Sequence, residues 1–141
     1  QLLRQYGSPF WGIEDNEWGI LVIKTAQRMG YRKLYHREMN KVIGGVVKLA
    51  KEAGWHTDQR TRWTLWGEMQ QEINKAAFIL PNRAGLMQFF DIIVDRSKDG
   101  RPAARVGAHD DYPTALGIAW QMRKFARIAQ SEKMTVQRAS F

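Results

Sequence analysis

No cysteine occurs anywhere in the 141 residues. Disulfides and thiolate metal sites are thereby excluded, and a cytosolic setting is compatible with the composition without being required by it. Histidine is scarce: the three, His36, His56 and His109, share no metal-ligand spacing. Long apolar runs are missing too. The longest, Ile20-Leu21-Val22-Ile23, is far short of the ~20 residues that cross a bilayer. No basic-then-apolar leader with a cleavage site is present, so nothing in the sequence directs secretion. There is no Gly-x-x-x-x-Gly-Lys-Ser/Thr run to cradle a nucleoside triphosphate, no His-Glu-x-x-His pair and no Gly-x-Ser-x-Gly elbow. Internal repeats and low-complexity tracts are also absent.

Acidic residues are outnumbered, 14 against 22 lysines and arginines, which leaves a net charge of +8. A surplus of that size favours a polyanionic partner, although many ordinary domains are equally basic. The basic residues are scattered rather than gathered on one helix face, which disfavours a membrane-surface helix. With 44% hydrophobic and 26% charged residues, and six Trp and six Phe, the chain has the composition of one globular domain.

Residues 1–6 read as the end of a helix closed by Gly7. Pro9 to Ile13 is a short apolar run bounded by turn residues, hence a buried strand. Asn16 is placed to cap a helix over Trp18–Met29, which Gly30 ends. Residues 31–36 suggest another short strand. The stretch 40–55, interrupted by Gly44-Gly45, fits either a hairpin or a lid. Leu65, Met69, Ile73 and Ala76 fall at helical spacing and predict a helix over 61–77. A brief strand at Phe78-Ile79-Leu80 precedes a helix capped by Asn82 and carrying Leu86, Phe89, Phe90 and Ile93. Lys98-Asp99-Gly100 is a tight-turn sequence, which makes 92–107 a candidate hairpin. Asp111 before Tyr112-Pro113 is a good N-cap for a last helix, with Leu116, Ala119, Trp120 and Arg123 on one face, running to about Gln130. Residues 131–141 lack periodicity and read as a tail. Strands alternating with helices predict an α/β domain with a mixed sheet.

Two acidic positions carry possible chemistry. Glu14 directly follows the first predicted strand, where ligands of open α/β sheets gather. His109-Asp110-Asp111 heads the last helix. Taken alone, each is better explained by capping: Glu14, Asp15 or both at one helix start, and one Asp of the pair at the other. Adjacent residues do not face each other on a helix, so one Asp should point into any site while its neighbour caps or reaches a metal from the flank. Lys41, Lys48, Lys51, Arg60, Arg62, Lys98, Arg101 and Arg105 are candidate phosphate contacts, with Lys98, Arg101, Arg105 and His109 nearest the Asp pair in sequence.

Several motifs then line up in order from about residue 9 to 124. Ile13-Glu14-Asp15-Asn16-Glu17-Trp18-Gly19 resembles the acid, Asn and Gly motif of the nuclease domains of phage large terminases. Gly30-Tyr31-x-x-Leu34-Tyr35, Gly54-Trp55-x-Thr57, Gly107-Ala108-His109-Asp110-Asp111 and Ala115-Leu116-Gly117-Ile118-Ala119 are similar to further motifs of that family. The resemblance implies an RNase H-like fold over residues 1–130, with a mixed sheet flanked by helices. It implies Mg2+ or Mn2+, two ions held in part by Glu14, Asp110 and Asp111, and hydrolysis of concatemeric double-stranded viral DNA during genome packaging in the cytoplasm of the infected host. An ATPase domain, a portal and a small terminase are the family's partners. The family's remaining Asp, on the first strand of the sheet, would lie upstream of Gln1. An inactive nucleic-acid-binding module and a resolvase- or transposase-type nuclease are the alternatives. The nuclease reading requires Glu14 and the Asp110-Asp111 pair, distant in the chain, to meet at one edge of the sheet.

Overall fold

A computed structural model describes residues 2–77, 79–96 and 100–126. Among them the chain runs α1 (Leu2–Gln5), α2 (Glu17–Arg28), β1 (His36–Ile43), β2 (Val46–Ala53), α3 (Gln59–Asn74), α4 (Arg83–Phe89), β3 (Ile92–Asp95), β4 (Arg101–Ala104) and α5 (Asp111–Met122). The domain is a mixture of helices and strands, as the pattern predicts. Its strands form two antiparallel pairs, β1–β2 and β3–β4, rather than one broad mixed sheet.

Extended segments knit the first pair to the rest. Residues 11–15 lie parallel to 33–35 on one side and to Trp55 on the other. Trp11 N donates to Lys33 O (2.8 Å) and Tyr35 N to Trp11 O (2.9 Å), while Asp15 N donates to Trp55 O (2.8 Å) and Trp55 N to Ile13 O (2.6 Å). With α2 between them, 11–15 and 33–35 form a short β-α-β crossover, the connection parallel pairing requires. The expected strand over Pro9–Ile13 is thus reduced to isolated bridges, and the strand over 31–36 to a bridge at Leu34 leading into β1.

The stretch 40–55 resolves as a hairpin. His36 pairs with Ala53 and Ile43 with Val46, and the turn is Gly44-Gly45, both with positive φ (59° and 77°). Two left-handed residues in a two-residue loop match the right-handed strand twist, and glycine adopts them without a Cβ penalty. β3 and β4 pair as the turn sequence suggests, Ile92 with Ala104 and Asp95 with Arg101. Asp58 rather than a residue near 61 starts α3, through a reciprocal capping box with Thr61, and Asn82 caps α4 by accepting from Gly85 N. The helix predicted to pass through Ile93 stops at Phe89, because Ile92 and Ile93 are drawn into β3. Ile79 and Leu80 lie in no strand. Phe78, the Lys98-Asp99 turn, the end of the last helix beyond residue 126 and the 131–141 tail lie outside the described residues.

Two apolar clusters flank the 10–15 segment. Ile23 and Ala26 of α2 bury against Leu34 with Trp11, Ile13 and Tyr31; Trp55, Leu65, Ile118 and Met122 bury together with Phe10 and Tyr35. α5 closes on α3 at Gly117, where an added Cβ would sit 3.1 Å from Leu65 Cδ2. The same helix pair carries a polar clasp: buried Gln121 Nε2 donates to Glu68 Oε2 (2.9 Å), and Lys124 Nζ to Glu68 Oε1 (2.7 Å). The Lys124 hydrogen bond holds the Glu68 carboxyl below its ordinary range. A carboxylate with a depressed folded pKa contributes stability above its unfolded value, about 4.3. That contribution is lost as pH falls through the folded value. Glu68→Gln should therefore lower Tm at neutral pH and flatten the fall in Tm below about pH 4.3. Parallel acid limbs in the variant and parent would refute this clasp.

Candidate functional site

Side chains of an extended segment alternate sides, and the two clusters show which side is which. Trp11 and Ile13 pack toward α2, whereas Phe10 packs toward α5 and Gly12 lies against it. A Cβ at Gly12 would sit 2.5 Å from Met122 Sδ, so the glycine lets the segment approach α5 closely. Glu14, two residues on, falls on the α5 side. Asp110 occupies the N-cap position of α5 and Asp111 its first turn. The result is a cleft of about 560 Å3 whose wall includes Glu14, Asn16, Arg62, Asp110, Asp111 and Thr114. The three acids proposed from sequence thus share one cavity, two of them at a helix start where the backbone dipole favours negative charge.

Capping takes a different form from the one expected. Asp110, not Asp111, is the N-cap residue; its carbonyl accepts from Thr114 N (2.9 Å), and its side chain makes no capping hydrogen bond. Asn16 holds the N-cap position of α2, likewise without a side-chain cap. Asp15 is not a cap. It lies on the other side of the segment, where its carboxylate, 10% exposed, pairs with Arg37 and accepts from or faces His56 Nδ1 at 2.9 Å. Arg37 also donates to Glu52 (2.8 Å). Alternation alone separates Asp15 from Glu14, and that signal was available in the sequence.

The decisive partner is Arg62 of α3. Its Nε donates to Pro102 O (2.6 Å) on β4, and its guanidinium pairs with the Asp110 carboxylate. Both side chains are largely covered, at 19% and 24% exposure, so the pair is screened less than a surface ion pair. Asp111 and His109 stand in water, 88% and 78% exposed. His109 Nδ1 is 3.8 Å from Asp111 Oδ2, beyond hydrogen-bond reach.

A second cleft, about 530 Å3, adjoins the first and is lined by Arg62, Arg101, Arg105, Gly107, Ala108 and Asp110. Three arginines and one carboxylate line it, and of the three Arg62 pairs with that carboxylate. Arg105 also pairs with Asp91 (2.8 Å), while Arg101 is exposed. Lys98 lies outside the described residues. The two clefts share a wall, and that wall is the Arg62–Asp110 pair.

An all-oxygen set such as Glu14, Asp110 and Asp111 suits a hard divalent ion. As they stand, no three acidic or imidazole groups among the described residues are gathered closely enough to hold one. One of the three, Asp110, is engaged by Arg62. The donors present in the cleft fit a metal in kind, and the charge of Asp110 is balanced there by the Arg62 guanidinium.

Among the described residues no helix is long and apolar enough to cross a membrane. No known protein family, curated protein or solved structure matches the chain. The functional reading therefore rests on the residues and their geometry.

Proposed function

We propose that this chain is the nuclease domain of a large terminase, of RNase H-like type, hydrolysing phosphodiester bonds of concatemeric double-stranded DNA in the infected host cell. The observation that carries this reading is the shared cleft: Glu14 and the distant, adjacent pair Asp110-Asp111 line one cavity beside a second lined with arginines. Glu14, Asp110 and Asp111 would hold Mg2+ or Mn2+. Such ions, when bound, supply an activated water and neutralise charge on the phosphate. Arg101, together with Arg105 in exchange for its Asp91 partner, would grip backbone phosphates without reading bases. Thr114 and Asn16 supply neutral polar groups to the cleft wall.

The test is Mn2+ titration followed by nicking of supercoiled plasmid, on this chain and on one extended upstream of Gln1. Mn2+ should bind, the extended chain should nick, and Glu14→Gln should weaken both. Salt-dependent DNA binding with no effect of Mn2+ would favour an inactive binding module instead. A preference for branched over linear DNA would favour the resolvase-type alternative.

A further inference from the structure

We infer that Arg62 is an exchangeable counter-ion that couples metal binding in the carboxylate cleft to phosphate binding in the arginine cleft. The inference rests on the nuclease reading of Glu14 and Asp110, and it adds a regulation to that site.

The argument begins with charge. Asp110 is largely covered, and a covered carboxylate needs a cation or hydrogen-bond donors. Arg62 supplies the cation in this structure. A divalent ion bound through Asp110 would place a second positive charge beside the guanidinium, and like charges in a screened-off cleft oppose each other. Metal binding through Asp110 must therefore displace or weaken the Arg62 contact.

Geometry provides the displaced guanidinium with a destination. Arg62 lines both clefts, and its Nε is anchored to Pro102 O on β4, the strand that begins at Arg101. Guanidinium presents five donors in a rigid fork, so the anchor can persist while another edge of the fork changes partner. A phosphate in the arginine cleft, beside Arg101 and Arg105, offers the replacement anion. Phosphate binding then releases Asp110 for the metal, and metal binding releases Arg62 for the phosphate. Such coupling is reciprocal by thermodynamic necessity. Without nucleic acid the Arg62–Asp110 pair disfavours metal loading.

The experiment measures Mn2+ affinity of the full chain by titration, with and without a short DNA duplex, for the parent and for Arg62→Met. Methionine fills similar space without the charge. Arg62→Met should bind Mn2+ about fivefold more tightly than the parent in the absence of DNA, the factor a well-placed, partly exposed ion pair represents. DNA should tighten Mn2+ binding in the parent, and this gain should shrink in the variant. Equal Mn2+ affinity in parent and variant would overturn the inference while leaving the carboxylate site standing. Mn2+ binding by neither would remove the nuclease reading, and the inference with it. Should Arg62→Met fail to fold, the parent suffices: Mg2+ should shift the Arg62 Nη–H resonances, whose partner is Asp110, and unmoved Nη–H resonances overturn the proposal.

Discussion

Gly19→Ala should destabilise the domain by about 3 kcal/mol, the upper part of the range for forced overpacking. In most helices this substitution is favourable, because alanine loses less backbone entropy. Here a Cβ on Gly19 would overlap the carbonyl oxygen of Glu14, which is backbone and cannot rotate away. The chain reverses between Glu14 and α2 within a few residues, with Gly19 N donating to Asn16 O at 2.7 Å. Only a residue without a side chain allows the first turn of α2 to rest on the end of the extended segment. Gly67 in α3 is the internal control, since nothing lies within 4 Å of a Cβ built there. Gly67→Ala should raise stability by roughly 0.5–1 kcal/mol. Thermal unfolding of the two variants checks the contrast, and a Tm loss of roughly 10 °C is expected for Gly19→Ala alone. Equal stability of the two variants would mean that the turn delivering Glu14 to the cleft is not as described.

Much of this architecture is legible in the residues, and the limits have physical causes. Asn82 announces itself because a side-chain cap is local chemistry, whereas the last helix starts near the expected place without a side-chain cap at Asp110. The pairing of β3 with β4 is legible from the Lys98-Asp99-Gly100 sequence between them. The 40–55 stretch is ambiguous in sequence because Val42, Ile43, Val46, Val47 and Leu49 are all exposed in the hairpin, so no alternation of apolar and polar residues marks a buried face. The spacing after Asn82 predicts a longer helix than forms because Phe90 and Ile93 continue it, and only pairing with Ala103 assigns Ile93 to a strand. The acids of the cleft could be picked out one by one, but their meeting depends on Gly12 lying against Met122. Arg62 could not be distinguished from its basic neighbours. Its approach to Asp110 follows from α3 packing on α5 through Leu65 and Gly117, which no local pattern encodes.

Asp110→Ala should abolish Mn2+-dependent nicking by the upstream-extended chain, with a loss of at least about a hundredfold, since removing even an outer-sphere partner of a metal ligand costs up to that much. The same substitution should also lower stability, by about 1–3 kcal/mol, because Arg62 keeps its bond to Pro102 O but loses its charged partner. Asp111→Ala separates the two effects. That carboxylate is 88% exposed and has no hydrogen bond to His109, so its removal should leave Tm nearly unchanged. If Asp111 is a ligand, nicking and Mn2+ affinity fall without a change in stability, a signature that a purely structural acid cannot produce. Asp110→Asn adds a further discrimination: it retains the shape and an acceptor for Arg62 but removes the charge, so stability should recover more than activity does. Plasmid nicking and thermal unfolding on the three variants give the comparison directly. Undiminished nicking by Asp110→Ala would remove this residue from the chemistry and leave its contact with Arg62 as a structural ion pair between α3 and the start of α5.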